Sequence, residues 1–136
     1  MINVHVVPPE MVYGLWDKVV GFIEASYYQS SHDCTPEQLK LLLVRGEQTL
    51  FVAVDEEQIT GAMTVQITNH PDARVAFITA LGGKGVVNEE VFAQVMDWLR
   101  AQLVTKVYAY AKKAQARLYE QKAGFTTARY VVEKTL

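Results

Sequence analysis

Cysteine and histidine are scarce in this 136-residue chain, and each scarcity removes a class of protein. The single Cys34 allows no internal disulfide, so burial alone must hold the core. His5, His32 and His70 are too scattered for ligand spacing, and with one cysteine they leave no metal motif. Cys34 stands beside His32 and Asp33, yet adjacent residues seldom make a working dyad, because a thiol's base normally comes from elsewhere in the fold. No apolar run approaches the ~20 residues of a membrane span. The opening MINVHVV also lacks the basic region and long apolar core of a leader, which predicts an intracellular, cytoplasmic protein. Strong charge is missing too: a net −2 argues against dedicated nucleic-acid binding.

What is present is a chain that is 50% hydrophobic, enough to build one domain over residues 1–136. Its charge is uneven. Residues 1–99 carry 5 Lys/Arg against 13 Asp/Glu, whereas residues 100–136 carry 8 against 2, including Lys106, Lys112, Lys113, Arg117 and Lys122. These cations either face solvent or meet a ligand phosphate.

Hydrophobic spacing divides the chain into ten elements. Residues 2–7 read as a strand ended by Pro8-Pro9. A first helix follows with Met11, Leu15, Val19 and Phe22 at helical spacing, widened by Trp16 and Ile23. Thr35-Pro36-Glu37-Gln38 supplies an N-cap, a proline at the first helical position and a glutamine at the third. The helix it starts has Leu39, Leu42 and Leu43 on one side and Gly46 to stop it. Thr49–Val54 and Ile59–Thr68 form a hairpin around Asp55–Gln58. Arg74–Leu81 is apolar at nearly every position and predicts a central strand. Asn88 caps a third helix striped by Phe92, Val95, Met96, Leu99 and Leu103. Lys106–Ala111 is the next strand, Ala114–Ala123 the last helix, and Ala128–Leu136 the final strand, giving the order β-α-α-β-β-β-α-β-α-β.

Between the fourth strand and third helix lies Thr79–Val87, TALGGKGVV. Its glycines leave backbone N–H groups open to an anion at a helix N-terminus, although glycine also serves a plain connection. It is not a nucleoside-triphosphate loop. That motif needs a glycine where Ile78 stands and a Ser or Thr where Gly85 stands.

This order, with the glycine loop in that place and Gly124-Phe125 closing the last helix, resembles the GNAT superfamily of N-acetyltransferases over the whole chain. The resemblance implies an α/β (α+β) single domain with a mixed, mostly antiparallel sheet flanked by helices. It also implies acetyl-CoA as co-substrate and an amine acceptor. The fourth and fifth strands would splay, with the pantetheine arm paired to Ile78, Thr79, Ala80 and Leu81. Gly82, Gly83, Lys84, Gly85, Val86 and Val87 would cradle the pyrophosphate, and Lys113, with Lys112 and Arg117, would reach the 3′-phosphate. The family's loop pattern has Arg or Gln where Ala80 stands. Its last helix carries a Tyr four residues before the Gly, where this chain has Glu120; Tyr119 is one residue off, about 100° around a helix. Tyr119 and Glu120 are therefore the two candidates for protonating the leaving thiolate, and the pKa of a phenol suits that work better than a carboxyl's.

A base for the amine would come from Glu24, His32 or Asp33, or act through water. Tyr27 and Tyr28 open the loop where the superfamily shapes its acceptor pocket, and Tyr108 and Tyr110 share one face of the fifth strand; all four also suit plain packing. More narrowly, the GGKG loop, Trp98 and the ending ARLYEQKAGFTTARYVVEKTL resemble small GNAT-like proteins of tailed bacteriophages and prophages, located in host cytoplasm or virion. Three functions stay open: acetyl transfer to an unidentified amine, a coenzyme A-binding sensor, or a non-catalytic phage structural or assembly component with protein partners. A terminal strand such as Ala128–Leu136 can pair or exchange between copies, which allows a homodimer.

Overall fold

Period-two sequences in the middle of the chain build an antiparallel meander to which a fifth strand is added in parallel. In the computed structural model, which describes residues 2–27, 32–84 and 86–136, the elements are β1 (Asn3–Val7), a 3₁₀ turn (Pro9–Met11), α1 (Val12–Tyr27), α2 (Pro36–Val44), β2 (Thr49–Asp55), β3 (Gln58–His70), β4 (Ala73–Gly83), α3 (Glu89–Ala101), β5 (Lys106–Ala109) and α4 (Lys113–Ala123). The sheet order is β1-β2-β3-β4-β5, antiparallel except for β4 and β5. The β4-α3-β5 crossover explains that exception, because parallel neighbours need a connection long enough to cross the sheet. No helix among the described residues is long and apolar enough to cross a membrane.

Each face of the sheet has its own core. One gathers Val12, Trp16, Val19 and Ile23 of α1 and Leu39 and Leu43 of α2 over Leu50, Val52, Ala62 and Ala80. The other packs Val91, Phe92, Val95 and Leu99 of α3 and Tyr119 of α4 on Phe51, Met63, Val65, Ala76, Ile78 and Leu81. Local signals set the helix ends as expected: Thr35 and Gln38 form a reciprocal capping box, and the Asn88 side chain accepts from the Val91 N–H. At the hairpin between β2 and β3, Glu56 and Glu57 both take positive φ, the backbone that lets a tight turn follow the strands' twist.

Four expectations need correction. The buried stripe of α1 runs Val12-Trp16-Val19-Ile23-Ser26, because Met11 belongs to the preceding 3₁₀ turn and is exposed. Leu103 is also exposed, past the end of α3 at positive φ. Gly82 and Gly83 are strand residues of β4, opposite Ala62 and Gly61, and do not belong to the loop. Finally, Ala128–Leu136 forms no ladder; regular structure ends with α4.

Candidate functional site

Two irregularities in β4 open a cleft. The first is a bulge: Val65 faces Ile78 and the adjacent Thr64 faces Ala80, so Thr79 is an extra residue on β4. A bulge shifts the in-out alternation by one position. Ile78 and Leu81 therefore both belong to the α3-side core, while Ala80 belongs to the α1-side core. The extra residue is held by a polar chain: the Thr79 hydroxyl donates to Gln48 Oε1 at 2.6 Å and lies 2.7 Å from the buried Thr64 hydroxyl.

The second irregularity is the early end of the β4–β5 ladder. The last pair is Ile78↔Ala109, yet β4 continues along β3 to Gly83. Beyond Ile78 the edge of β4 that faced β5 is turned toward α1 and α4 instead. Gly82 lets α1 approach: a Cβ there would run into the Phe22 carbonyl. One helical turn on, Ser26 Oγ accepts the Leu81 N–H at 2.9 Å. Gly83 has φ +121°, and a Cβ on it would strike Gly61 and the Thr60 carbonyl. These glycines thus have packing duties of their own.

The resulting cleft has an outer part of about 230 Å³ walled by Ser26, Leu81, Gly82, Gly83, Val86, Val87, Gln115 and Leu118. A narrow inner end, about 10 Å³, reaches Ile78, Ala80, Tyr110 and Tyr119. Tyr119 is buried, with its ring against Phe92 and Phe125, and burial pushes its hydroxyl up from 10.0 to about 12, against a smaller lowering by a hydrogen bond with Gln115. Glu120 lies one step around the helix, exposed, where its carboxylate accepts from the Thr127 hydroxyl at 2.7 Å.

The remaining expected residues divide clearly. Ile78, Ala80, Leu81, Gly82, Gly83, Val86, Val87 and Tyr119 line the cleft. Thr79, bonded to Gln48 and Thr64, is not a lining residue, and Lys84 and Lys113 are exposed. Gly85 and Tyr28 lie outside the described residues. Glu90, at the start of α3, accepts the Ile2 N–H at 3.2 Å, so its carboxylate serves β1. On the other sheet face, Phe77 gathers Tyr108 and Tyr110 at ring separations of 5.2 and 5.7 Å. Tyr27 stacks flat on His32 at 4.0 Å, and its hydroxyl is raised by burial, then by its hydrogen bond and charge interactions with Cys34 and Asp33. Glu24 is exposed on α1.

Ser26 and Gln115 are cleft residues that sequence reading missed. Ser26 carried a signal, since a polar residue in the buried position of an apolar stripe asks what it bonds. Gln115 lies one turn before Tyr119, on the same helical face.

No protein-family model matches the sequence, and no curated protein does. Solved structures do match. An aminoglycoside acetyltransferase, meta-AAC0020, from an uncultured soil metagenomic sample, solved with trehalose, superimposes with a TM-score of 0.72 at 16% identity, covering 99% of this chain and 96% of that one. A predicted acetyltransferase from Clostridium acetobutylicum, solved with acetyl-CoA, gives 0.65 at 14% identity over 99% and 96% of the two chains. A ribosomal-protein-alanine N-acetyltransferase from Brucella melitensis biovar Abortus 2308 gives 0.66 at 10%, over 100% and 98%. Identities this low establish the fold, which is GNAT-like.

Proposed function

We propose that this protein is a cytoplasmic N-acetyltransferase that takes its acetyl group from acetyl-CoA and passes it to an unidentified amine. The observation that carries the reading is the early end of the β4–β5 ladder, which leaves a cleft between β4, α1 and α4 with a buried tyrosine at its inner end. Ligands of open sheets with crossover connections gather at strand carboxyl ends. At about 230 Å³ the cleft is below the ~300–1,000 Å³ of a pocket that encloses a whole ligand. It suits the narrow pantetheine arm, with the nucleotide outside.

The helix ends support the same reading. Asp and Glu favour helix N-termini, and α3 obeys with Glu89 and Glu90. By contrast α4 opens on Lys112 and Lys113, with no acidic residue in its first turn and no side-chain cap bond. A helix N-terminus with no acid in its first turn and no side-chain cap bond leaves backbone N–H groups for an anion, and a coenzyme phosphate would suit them. Lys112, Lys113 and the α4 N-terminus are thus better placed for a phosphate than the α3 start, while Lys84 and Gly85 remain candidates for the pyrophosphate.

In the transfer, the amine nitrogen bonds to the thioester carbonyl carbon, the carbon–sulfur bond breaks, and the amine releases its proton to water. A backbone N–H at the β4 bulge would polarise the carbonyl. Tyr119 serves the sulfur by donating a hydrogen bond. Full proton transfer from a hydroxyl near 12 to a thiolate near 8.5 would run uphill by about 5 kcal/mol. Tyr119 therefore stabilises the leaving charge, and solvent supplies the final proton. Glu120, turned outward, takes no part.

A second reading keeps the fold without the catalysis, as a structural or assembly component. What favours the loss of catalysis is that packing alone explains Gly82 and Gly83. Calorimetry with acetyl-CoA and coenzyme A, followed by a thiol-release assay over a panel of amines, separates the possibilities. Binding with turnover is the expected outcome. Binding without turnover points to a coenzyme A sensor, and neither points to the structural role.

A further inference from the structure

The narrow inner end of the cleft passes through the sheet. Of its lining residues, Ile78, Leu81 and Tyr119 belong to the α3-side core, while Ala80 belongs to the α1-side core. Tyr110 lines the same inner end and is also part of the aromatic group around Phe77, on the face opposite Ile78. Phe77 and Tyr108 are half-buried and Tyr110 is 38% exposed, so each ring keeps some surface in water. An acetyl group carried to the inner end would therefore arrive beside a partly open aromatic surface, and rings placed in this way suit a ligand with an apolar body.

That surface is basic as well as aromatic. Residues paired in register share a face, so Gln66, Thr68, Val75 and Lys106 stand alongside Phe77 and Tyr108, and none of them is an acid. Arg129 adds a second cation, its guanidinium lying 5.1 Å over the Tyr108 ring. A ring attracts a cation over its face, and at Tyr108 that place is taken. A polycationic amine would meet Lys106 and Arg129 with no carboxylate among these positions to offset them. An aromatic body gains from the rings instead, and an acidic group gains from the guanidinium.

We infer that the acceptor is an arylalkylamine that also carries an acidic group. Its ring packs on Phe77 and Tyr108, its amine reaches past Tyr110 to the inner end of the cleft, and its acid faces Arg129. The inference rests on the acetyltransferase reading above and adds to it the class of acceptor. Two residues of strand advance roughly 7 Å, which is the step from Tyr108 to Tyr110. Amine and acid must then stand at opposite ends of the ring, as they do in 4-(aminomethyl)benzoate.

Calorimetry on the full chain in the presence of coenzyme A compares four amines without needing turnover: 4-(aminomethyl)benzoate, tyramine, spermidine and kanamycin. The acid is expected to bind tightest, tyramine several-fold more weakly, and the two polycations at least tenfold more weakly than the acid. Arg129→Glu, at an exposed position, should remove the acid's advantage over tyramine, and Phe77→Leu should weaken both aromatic amines. Spermidine or kanamycin binding more tightly than the aromatic amines overturns the proposal. So does an absence of aromatic binding, or a preference for the acid that Arg129→Glu leaves intact. Adding acetyl-CoA to the same samples separates this inference from the reading beneath it. An aromatic amine that binds and is not acetylated counts against acetyl transfer and leaves the surface standing, whereas acetylated polycations with no aromatic binding count against the surface alone.

Discussion

The strands β2 to β4 and the end of the molecule formed by β5, α4 and the residues after it are built to different standards. β3 and β4 pair over ten positions, while β4 and β5 pair over four. α1 buries five residues and α3 four, while α4 buries Tyr119 alone. Burial on that scale makes the first region a scaffold, and the second has little apolar contact to hold it fixed. The difference locates the cleft: it lies where the well-packed strand β4 outruns its weakly packed neighbour.

Substitutions can break or sharpen this contrast. The largest effect is expected for Gly82→Ala, whose Cβ meets the α1 backbone at Phe22; we expect a loss of roughly 3–4 kcal/mol in urea unfolding. Leu99→Ala, at the centre of the α3 core, should cost about 3 kcal/mol. Tyr119→Phe tests the α4 side of the cleft, with kcat expected to fall roughly 10²-fold and acetyl-CoA affinity nearly unchanged. The same variant has a signature in stability. Because folding raises Tyr119 from 10.0 to about 12, its contribution is full below pH 10 and is lost as pH rises through 12, so wild-type stability should fall more steeply across that window than the variant's. Ser26→Ala should cost about 1 kcal/mol of stability and also tighten acetyl-CoA binding a few-fold in calorimetry, because the Leu81 N–H then has no internal acceptor to give up. Smallest of all, Leu118→Ala on α4 should change stability by less than about 0.5 kcal/mol, since that side chain is 42% exposed.

How much of this could be read in the sequence follows from the range of each signal. Caps and turns are local, so Thr35, Asn88, Gly46 and Gly124 announced their roles. The element order through α4 came from spacing, and the mixed sheet from the resemblance that this order carries. The bulge at Thr79 was hidden, because a run apolar on both sides of that one threonine shows no alternation whose phase could be seen to change. Gly82 and Gly83 read as a turn because glycine's commonest duty is to turn. Their need for a missing side chain comes from Phe22, Thr60 and Gly61, far away in sequence. Which of Tyr119 and Glu120 faces inward depended on the rotation of α4, which Phe92 and Phe125 fix by packing on the tyrosine. The residues after Phe125 have strand propensity, but propensity does not name a partner.

The central claim is that acetyl-CoA enters the cleft between β4 and α4. Titration of ¹⁵N-labelled protein with acetyl-CoA, followed in two-dimensional NMR spectra, tests it most directly. The account predicts saturable shifts concentrated at Ser26, Leu81, Gly82, Gly83, Val86, Val87 and the first two turns of α4. An unchanged spectrum at saturating acetyl-CoA, or shifts confined to β1, β2 and α2, would contradict it.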